Sequence, residues 1–264
     1  MANFTAKDIA ALRAATGAGM LDCKKALEES DGDFEAAVQY LRVNGLAGAA
    51  KRSDREATEG AVTAVRGADA AAVVELRCET DFVAKADEFV ALTEELGALV
   101  AAKGADAVGE LDGEIDRLRT TLKENISVGR VKRLAVAPGQ VVDTYVHQQA
   151  GRGVNAVAIV LDGGTEELAH ELAVHIAFTK PSYLSRDEVP EADVAAERAT
   201  VEEISRAEGK PEAALPKVVE GRMTGWFKDR VLLDQAYVKD EKQTVAGMLG
   251  SATIVGFAQV VIGA

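Results

Sequence analysis

Ala71-Ala72-Val73-Val74-Glu75-Leu76-Arg77-Cys78-Glu79-Thr80-Asp81-Phe82-Val83 holds the change of texture that decides the fold. A β-rich run ends at Cys78, a polar Thr80-Asp81 pair follows, and an aromatic stands at the entry to a helix. The spacing of Phe89, Leu92, Leu96 and Leu99 predicts that helix from about Lys85. Upstream, Ala61 to Val65 is a second β-rich run, joined to the first through Gly67-Ala68-Asp69, a hairpin signal. Downstream, Leu111, Ile115, Leu118, Leu122 and Ile126 form a near-heptad stripe, read as a further helix packed on a core. Val131 to Ala137 returns to strand texture and Pro138-Gly139 turns the chain. Val141 to His147 and Val154 to Leu161 then read as a hairpin closed by Gly151-Arg152-Gly153. Thr165 caps a helix running to Phe178, and Lys180-Pro181 stops it. Hairpin followed by helix thus occurs twice, which predicts an α+β chain with two related subdomains, each an antiparallel sheet with helices.

Before this core, three short helices are expected. Thr5 caps the first, with Asp8 at its third position and Ile9 and Leu12 on one face. Thr16-Gly17-Ala18-Gly19 breaks it, and the second helix, with Met20, Leu21, Lys24 and Leu27, ends at Asp31-Gly32. Asp33 caps the third, whose inner face reads Phe34, Ala37, Val38 and Leu41 and which ends at Gly45. The next stretch, rich in Gly, Ala and charge, is a boundary or a continuation of that helix on a solvated face. A unit this small has a marginal core and is expected to lean on a partner or to act as a docking module. Glu191 to Gly209 and Pro211 to about Asp229 form a projecting helical hairpin, with Val194, Val201 and Ile204 on one helix and Leu215, Val218, Val219, Met223 and Trp226 on the other. Thr244 caps a short helix, and Thr253 to Ile262 supplies a last strand. The expected organisation is a three-helix module at 1–54, one core subdomain at 55–139 and a second at 140–264, with the hairpin inserted at about 185–229.

The 264 residues suit about two domains. Lys plus Arg number 30 and Asp plus Glu 43, a net charge of −13. Phosphate contacts need a basic surface, so a general nucleic-acid binder and a polybasic membrane-surface protein are both disfavoured. No apolar run approaches the ~20 residues that span a bilayer, and Met1 to Thr5 lacks the marks of a signal peptide. Cys23 and Cys78 make no disulfide framework, so a reduced, cytoplasmic protein is expected.

Motifs for chemistry are tested and set aside. Gly17-Ala18-Gly19 lacks the third glycine of a dinucleotide loop, and no phosphate-binding GxxxxGK[ST] occurs. His170 and His175 are five residues apart, which turns a helix by about 140° net and separates the two imidazoles. His175 reads as semi-buried and His170 as solvated. No GxSxG is present, and both cysteines read as small core residues. No cofactor, metal or catalytic residue is therefore expected, and the chain reads as no enzyme.

Glu79-Thr80-Asp81-Phe82-Val83 keeps two readings. In one, Thr80 or Asp81 caps the helix and Phe82 packs beneath it. In the other, an exposed loop presents a carboxylate and an aromatic wedge to a partner. At these residues the sequence resembles the bacterial elongation factor Ts family, the guanine-nucleotide exchange factors of translation. Leu12-Arg13-Ala14-Ala15-Thr16-Gly17-Ala18-Gly19-Met20-Leu21-Asp22-Cys23-Lys24-Lys25-Ala26-Leu27 resembles that family's first signature, and Glu75 to Lys85 its second. Weaker likeness runs through His175-Ile176-Ala177, Lys180-Pro181 and Val219-Glu220-Gly221-Arg222.

The resemblance implies an N-terminal module of ubiquitin-associated type and a core of two α+β subdomains with an inserted hairpin. It implies elongation factor Tu, GDP-bound and nucleotide-free, as partner. Thr80, Asp81, Phe82 and Val83 match the loop that intrudes near that partner's magnesium ion and disturbs the phosphate site. Asp81 would act by charge near the cation or by hydrogen bonding, both left open. Leu12, Met20 and Leu21 are candidates for a contact by the module, and His147 for a further one. In some members the hairpin dimerises, so a homodimer or a 2:2 complex is also considered. Some members carry a helical module after the last strand, where this sequence ends at Ile262-Gly263-Ala264, so its contacts are expected to be absent or replaced. Two rivals remain: an interaction protein of the same build without exchange, and an α+β enzyme whose site the sequence hides.

Overall fold

The computed structural model describes residues 3–263; Met1, Ala2 and Ala264 lie outside the described residues. The chain begins with α1 (Ala6–Thr16), α2 (Met20–Glu29) and α3 (Phe34–Ala50). Asp8 accepts from both the backbone N–H and the hydroxyl of Thr5 at 2.7 Å, which satisfies the start of α1. Gly17 ends α1 in the left-handed region at φ 69°, where a side chain would be strained. Leu12, Cys23, Ala26, Leu27, Ala37 and Leu41 make the small shared core. Phe34, expected on the inner face of α3, is exposed, and Ala37 and Leu41 fill that face instead.

Helix α3 does not end at Gly45. It continues through Gly45 and Gly48 to Ala50, because Gly45 lies where α3 crosses a core helix. A Cβ there would fall inside contact distance of the Thr120 side chain, and one at Gly17 would press on Thr121. Gly45→Val is therefore expected to lift the module off the core. The overpacking costs roughly 1–3 kcal/mol. Trypsin should then cut faster at Lys51, Arg52 and Arg55. Cleavage at the parent rate would show that the seam tolerates the added volume.

The core opens with β1 (Glu59–Arg66) and β2 (Ala70–Cys78), then α4 (Asp81–Ala84), α5 (Asp87–Lys103), α6 (Asp112–Leu122) and β3 (Ser127–Ala135). The strands form an antiparallel sheet in the order β1-β2-β3. Next come β4 (Val141–Gln149), β5 (Arg152–Asp162), α7 (Glu166–Thr179), α8 (Glu191–Ala207), α9 (Leu215–Arg230), β6 (Ala236–Tyr237), β7 (Asp240–Thr244), α10 (Val245–Met248) and β8 (Thr253–Val261). Here β4, β5 and β8 make a second antiparallel sheet in that order.

Alternation along β2 and β5 decides the layering. Ala72, Val74, Leu76 and Cys78 face α5 and α6, while Ala71 and Val73 face the other sheet. Val157, Ile159 and Leu161 face α7, while Ala156, Ala158 and Val160 face the first sheet. The two sheets thus stack on small side chains between two helical layers. Strands buried on both faces read as continuous apolar runs, without the alternation that marks an inner face.

Ion pairs tie these layers. Arg152, expected in the turn, instead lies buried in β5; the turn is Ala150-Gly151, both at positive φ. The Arg152 guanidinium reaches the Glu59 carboxylate at 2.7 Å and the Gly60 carbonyl of the first sheet. Glu75 is 2% exposed at a bulge in the β2–β3 pairing. It accepts from the Arg130 guanidinium and backbone N–H at 2.9–3.0 Å and from Arg77 at 3.0 Å.

The hairpin of α8 and α9 has its own core, with Val201, Val219, Met223 and Phe227, and joins the body where Tyr183 bridges Val231. Ile204, expected on the inner face, is exposed; Ser205 is buried there, its small hydroxyl bonded to the Val201 carbonyl. The stripe expected to reach Ile126 stops at Leu122, because Lys123 turns into the left-handed region at φ 60°. Ile126 is still fully buried, as the lead into β3. Leu99 is only half-buried, and Val100 takes its place against the sheet.

Candidate functional site

Between β2 and α5 the chain makes one helical turn, α4, and the two readings of Phe82 part there. Thr80 is its N-cap, accepting from the Val83 N–H at 3.4 Å. Ala84 is fully buried and Val83 packs on the cluster around Phe89, so the turn is anchored on its inner side. Phe82, one residue from that anchor, is 83% exposed. It does not pack beneath the helix. Asp81 lies beside it in an exposed pair with the Lys85 ammonium, which also sits 6.0 Å from the Phe82 ring centroid. The hydrogen bond from Lys85 holds the Asp81 carboxyl below the usual carboxylate range. An exposed i,i+4 pair is screened by water, so Asp81 can change partners at little cost.

Beneath the turn, Cys78 is buried and donates its thiol to the Thr80 carbonyl at 3.2 Å. Burial pushes that thiol up to about 12, which leaves it un-ionised and unreactive at neutral pH. From the side, the Glu124 carboxylate accepts from the Glu79 N–H at 3.0 Å, the Thr80 N–H at 3.1 Å and the Thr80 hydroxyl at 2.5 Å.

The neighbouring Lys123 pairs with Asp22 of α2 at 2.6 Å. Consecutive residues therefore touch the base of the Phe82 turn and the helix that carries Met20 and Leu21. These two are 49% and 82% exposed. Leu12, offered as a third contact from the module, is fully buried in its core and supports that surface from beneath.

A profile for the family described as elongation factor TS matches residues 79–264, more than half of the chain. The chain belongs to the elongation factor Ts family. An elongation factor Ts from Clavibacter michiganensis subsp. michiganensis is 48% identical over 278 aligned positions, spanning the whole of both chains. Those of Renibacterium salmoninarum and Micrococcus luteus are each 46% identical, again over the full length of both.

Within this elongation factor Ts fold, His147 is exposed on β4, on the second sheet. It borders an open cleft of about 520 Å³ with Tyr145, Val154 and Phe178, the last 73% exposed. The other two histidines are held apart. His170 is exposed and 2.9 Å from Asp143, while His175 is fully buried, 2.9 Å from the Gln235 side chain and accepting from the Val238 N–H. Burial lowers the His175 pKa and keeps the ring neutral. Among the described residues, no group of three or more His, Cys, Asp or Glu is placed to hold a metal ion. Among them, too, no helix is long and apolar enough to cross a membrane.

Sequence reading missed Glu124 and Asn125. They lie inside the Leu122 to Ile126 stretch that reads as helix. A glycine would have flagged the break, but Lys123 at positive φ has no local signature.

Proposed function

We propose that this chain is the guanine-nucleotide exchange factor of elongation factor Tu, binding its GDP-bound and nucleotide-free forms and promoting GDP release so that GTP can enter. The observation that carries the reading is Phe82, a large aromatic left 83% exposed on an otherwise anchored turn, in a chain of the elongation factor Ts family.

GDP leaves such GTPases slowly because magnesium and backbone amides hold its phosphates. A factor that bound both states equally would shift nothing. A wedge supplies the difference when its seat is closed while the magnesium geometry is intact. Burying a Phe removes on the order of 150–250 Å² from water, an upper figure near 4–6 kcal/mol at about 25 cal/mol/Å². Because Phe82 is exposed in the free chain, nearly all of that gain is available on binding. Asp81 gives up Lys85 and turns its carboxylate toward the cation or toward a loop N–H. Met20 and Leu21 on the module, and His147 on the second sheet, supply contacts away from the nucleotide. No bond is made or broken, so the chain acts through binding energy alone and is not an enzyme in the chemical sense.

Release of fluorescent GDP from the cognate elongation factor Tu at fixed magnesium tests this directly. A large acceleration that rises with the concentration of this protein is expected. Binding without acceleration would leave a tethering protein and overturn the exchange reading.

A further inference from the structure

Phe82 has no packing of its own, so its direction is set by the backbone of its turn, which Val83 and Ala84 anchor from within. Where the chain enters that turn, the backbone is also held by a side chain from a distant part of the chain. Glu124 takes three donors at once, the N–H groups of Glu79 and Thr80 and the Thr80 hydroxyl. The Glu79 carboxylate answers by accepting from the Asn125 N–H at 2.7 Å. The segments 79–80 and 124–125 therefore clamp each other reciprocally.

The same joint reaches the tether of the N-terminal module. The Asn125 side-chain amide donates to the Ser53 carbonyl at 3.0 Å and the Arg55 carbonyl at 2.7 Å. Arg55 lies 3.4 Å from Glu79, and Lys123 holds Asp22 of α2. Hydrogen bonds to an ionised acceptor are the strong ones, and three on one carboxylate leave it little freedom.

We propose that Glu124 is a positioning residue for exchange, fixing the α4 turn so that Phe82 points at the GTPase while residues 123–125 keep the turn and the module in one geometry. This rests on the exchange reading above and adds the group that aims its wedge. Glu124 itself needs no contact with the partner.

The test uses the full chain and the fluorescent GDP assay, run over a range of protein concentrations. Glu124→Ala is expected to lower the maximal release rate on the order of tenfold, the worth of about one hydrogen bond to a charged group. Its half-saturating concentration should stay within about twofold, because Met20 and Leu21 still dock. Glu124→Gln keeps an oxygen for the two N–H groups and offers its amide to the Thr80 hydroxyl, so it should recover most of the rate. Added to Phe82→Ala, Glu124→Ala should cost no more than about twofold further, since both act through one side chain.

The proposal is overturned by Glu124→Ala releasing GDP at the parent rate, by its loss adding in full to that of Phe82→Ala, or by a raised half-saturating concentration at unchanged maximal rate. Where Glu124→Ala does not fold, Glu124→Asp is used; it keeps the charge but is one methylene too short to hold all three donors, and the same losses are expected. If Phe82→Ala slows release while Glu124→Ala does not, the positioning role alone fails. If Phe82→Ala releases GDP normally, the wedge fails and the positioning role with it.

Discussion

Phe82→Ala should slow stimulated GDP release about thirtyfold while leaving the fold intact. The magnitude is that of an interface anchor, whose truncation costs about 2 kcal/mol or more, and about 1.4 kcal/mol corresponds to a factor of ten. The intact fold follows from exposure. At 83% exposed, Phe82 contributes almost nothing to the core, and a surface substitution of this kind stays within about 0.5 kcal/mol. A residue packed beneath the helix would behave in the opposite way. Its truncation would cost roughly 3–5 kcal/mol and lower the melting temperature clearly. Stopped-flow release and a thermal melt on one preparation separate the two. A variant with normal release would sink the wedge; a variant that melts early would sink the placement of the ring.

The second large effect is expected far from Phe82, at Glu75. Burial alone would push this carboxyl up, but the Arg130 guanidinium and backbone N–H, with Arg77, overcome that and hold it at about 2 against an ordinary 4.5. A carboxyl whose pKa is lowered by folding stabilises the fold above its unfolded value, and that contribution is lost as pH falls through the folded value. The difference corresponds to about 3 kcal/mol, present at neutral pH and lost between about pH 4.5 and 2.

Glu75→Gln should therefore cost about 3 kcal/mol at pH 7, near the low end for a broken buried pair because Arg130 and Arg77 still reach water. Urea unfolding of parent and variant at a series of pH values provides the check. The gap between their stabilities should narrow steadily below pH 4.5. A gap that stays constant down to pH 2.5 would mean that Glu75 acts by its shape and not by its charge.

Local signals in this chain were legible because they are local in physics. The capping pair Thr5 and Asp8, the caps Thr165 and Thr244, the hairpin turn at Gly67-Ala68-Asp69 and the apolar stripe of α5 each depend on residues within one or two turns. So the kind and order of the principal elements could be read in advance, although the α4 turn and the short β6–β7 hairpin could not. The Thr80-Asp81-Phe82 segment stood out for the same reason, as a polar pair before an aromatic at the entry to a helix, with burial and exposure of that aromatic both left open.

Tertiary structure decided the rest. Whether Phe82 faced inward or outward turned on Val83 and Ala84 filling the space beneath α4 first. That Gly45 continues a helix follows from Thr120, which is distant in sequence and leaves no room for a side chain there. Leu12 and Met20 share one signature, yet the first is core and the second surface, since only packing chooses between apolar neighbours. Glu75, Arg152 and Glu124 look like ordinary surface charges in the sequence. Apart from Arg77, two residues from Glu75, their partners lie 44 to 93 positions away, and a charge is buried only where the fold brings donors to it. The sequence by itself determined the principal elements and most of the residues that cap them, because those depend on near neighbours. Only the tertiary structure decided which faces were left bare and which charges hold them in place, because burial belongs to the assembled chain.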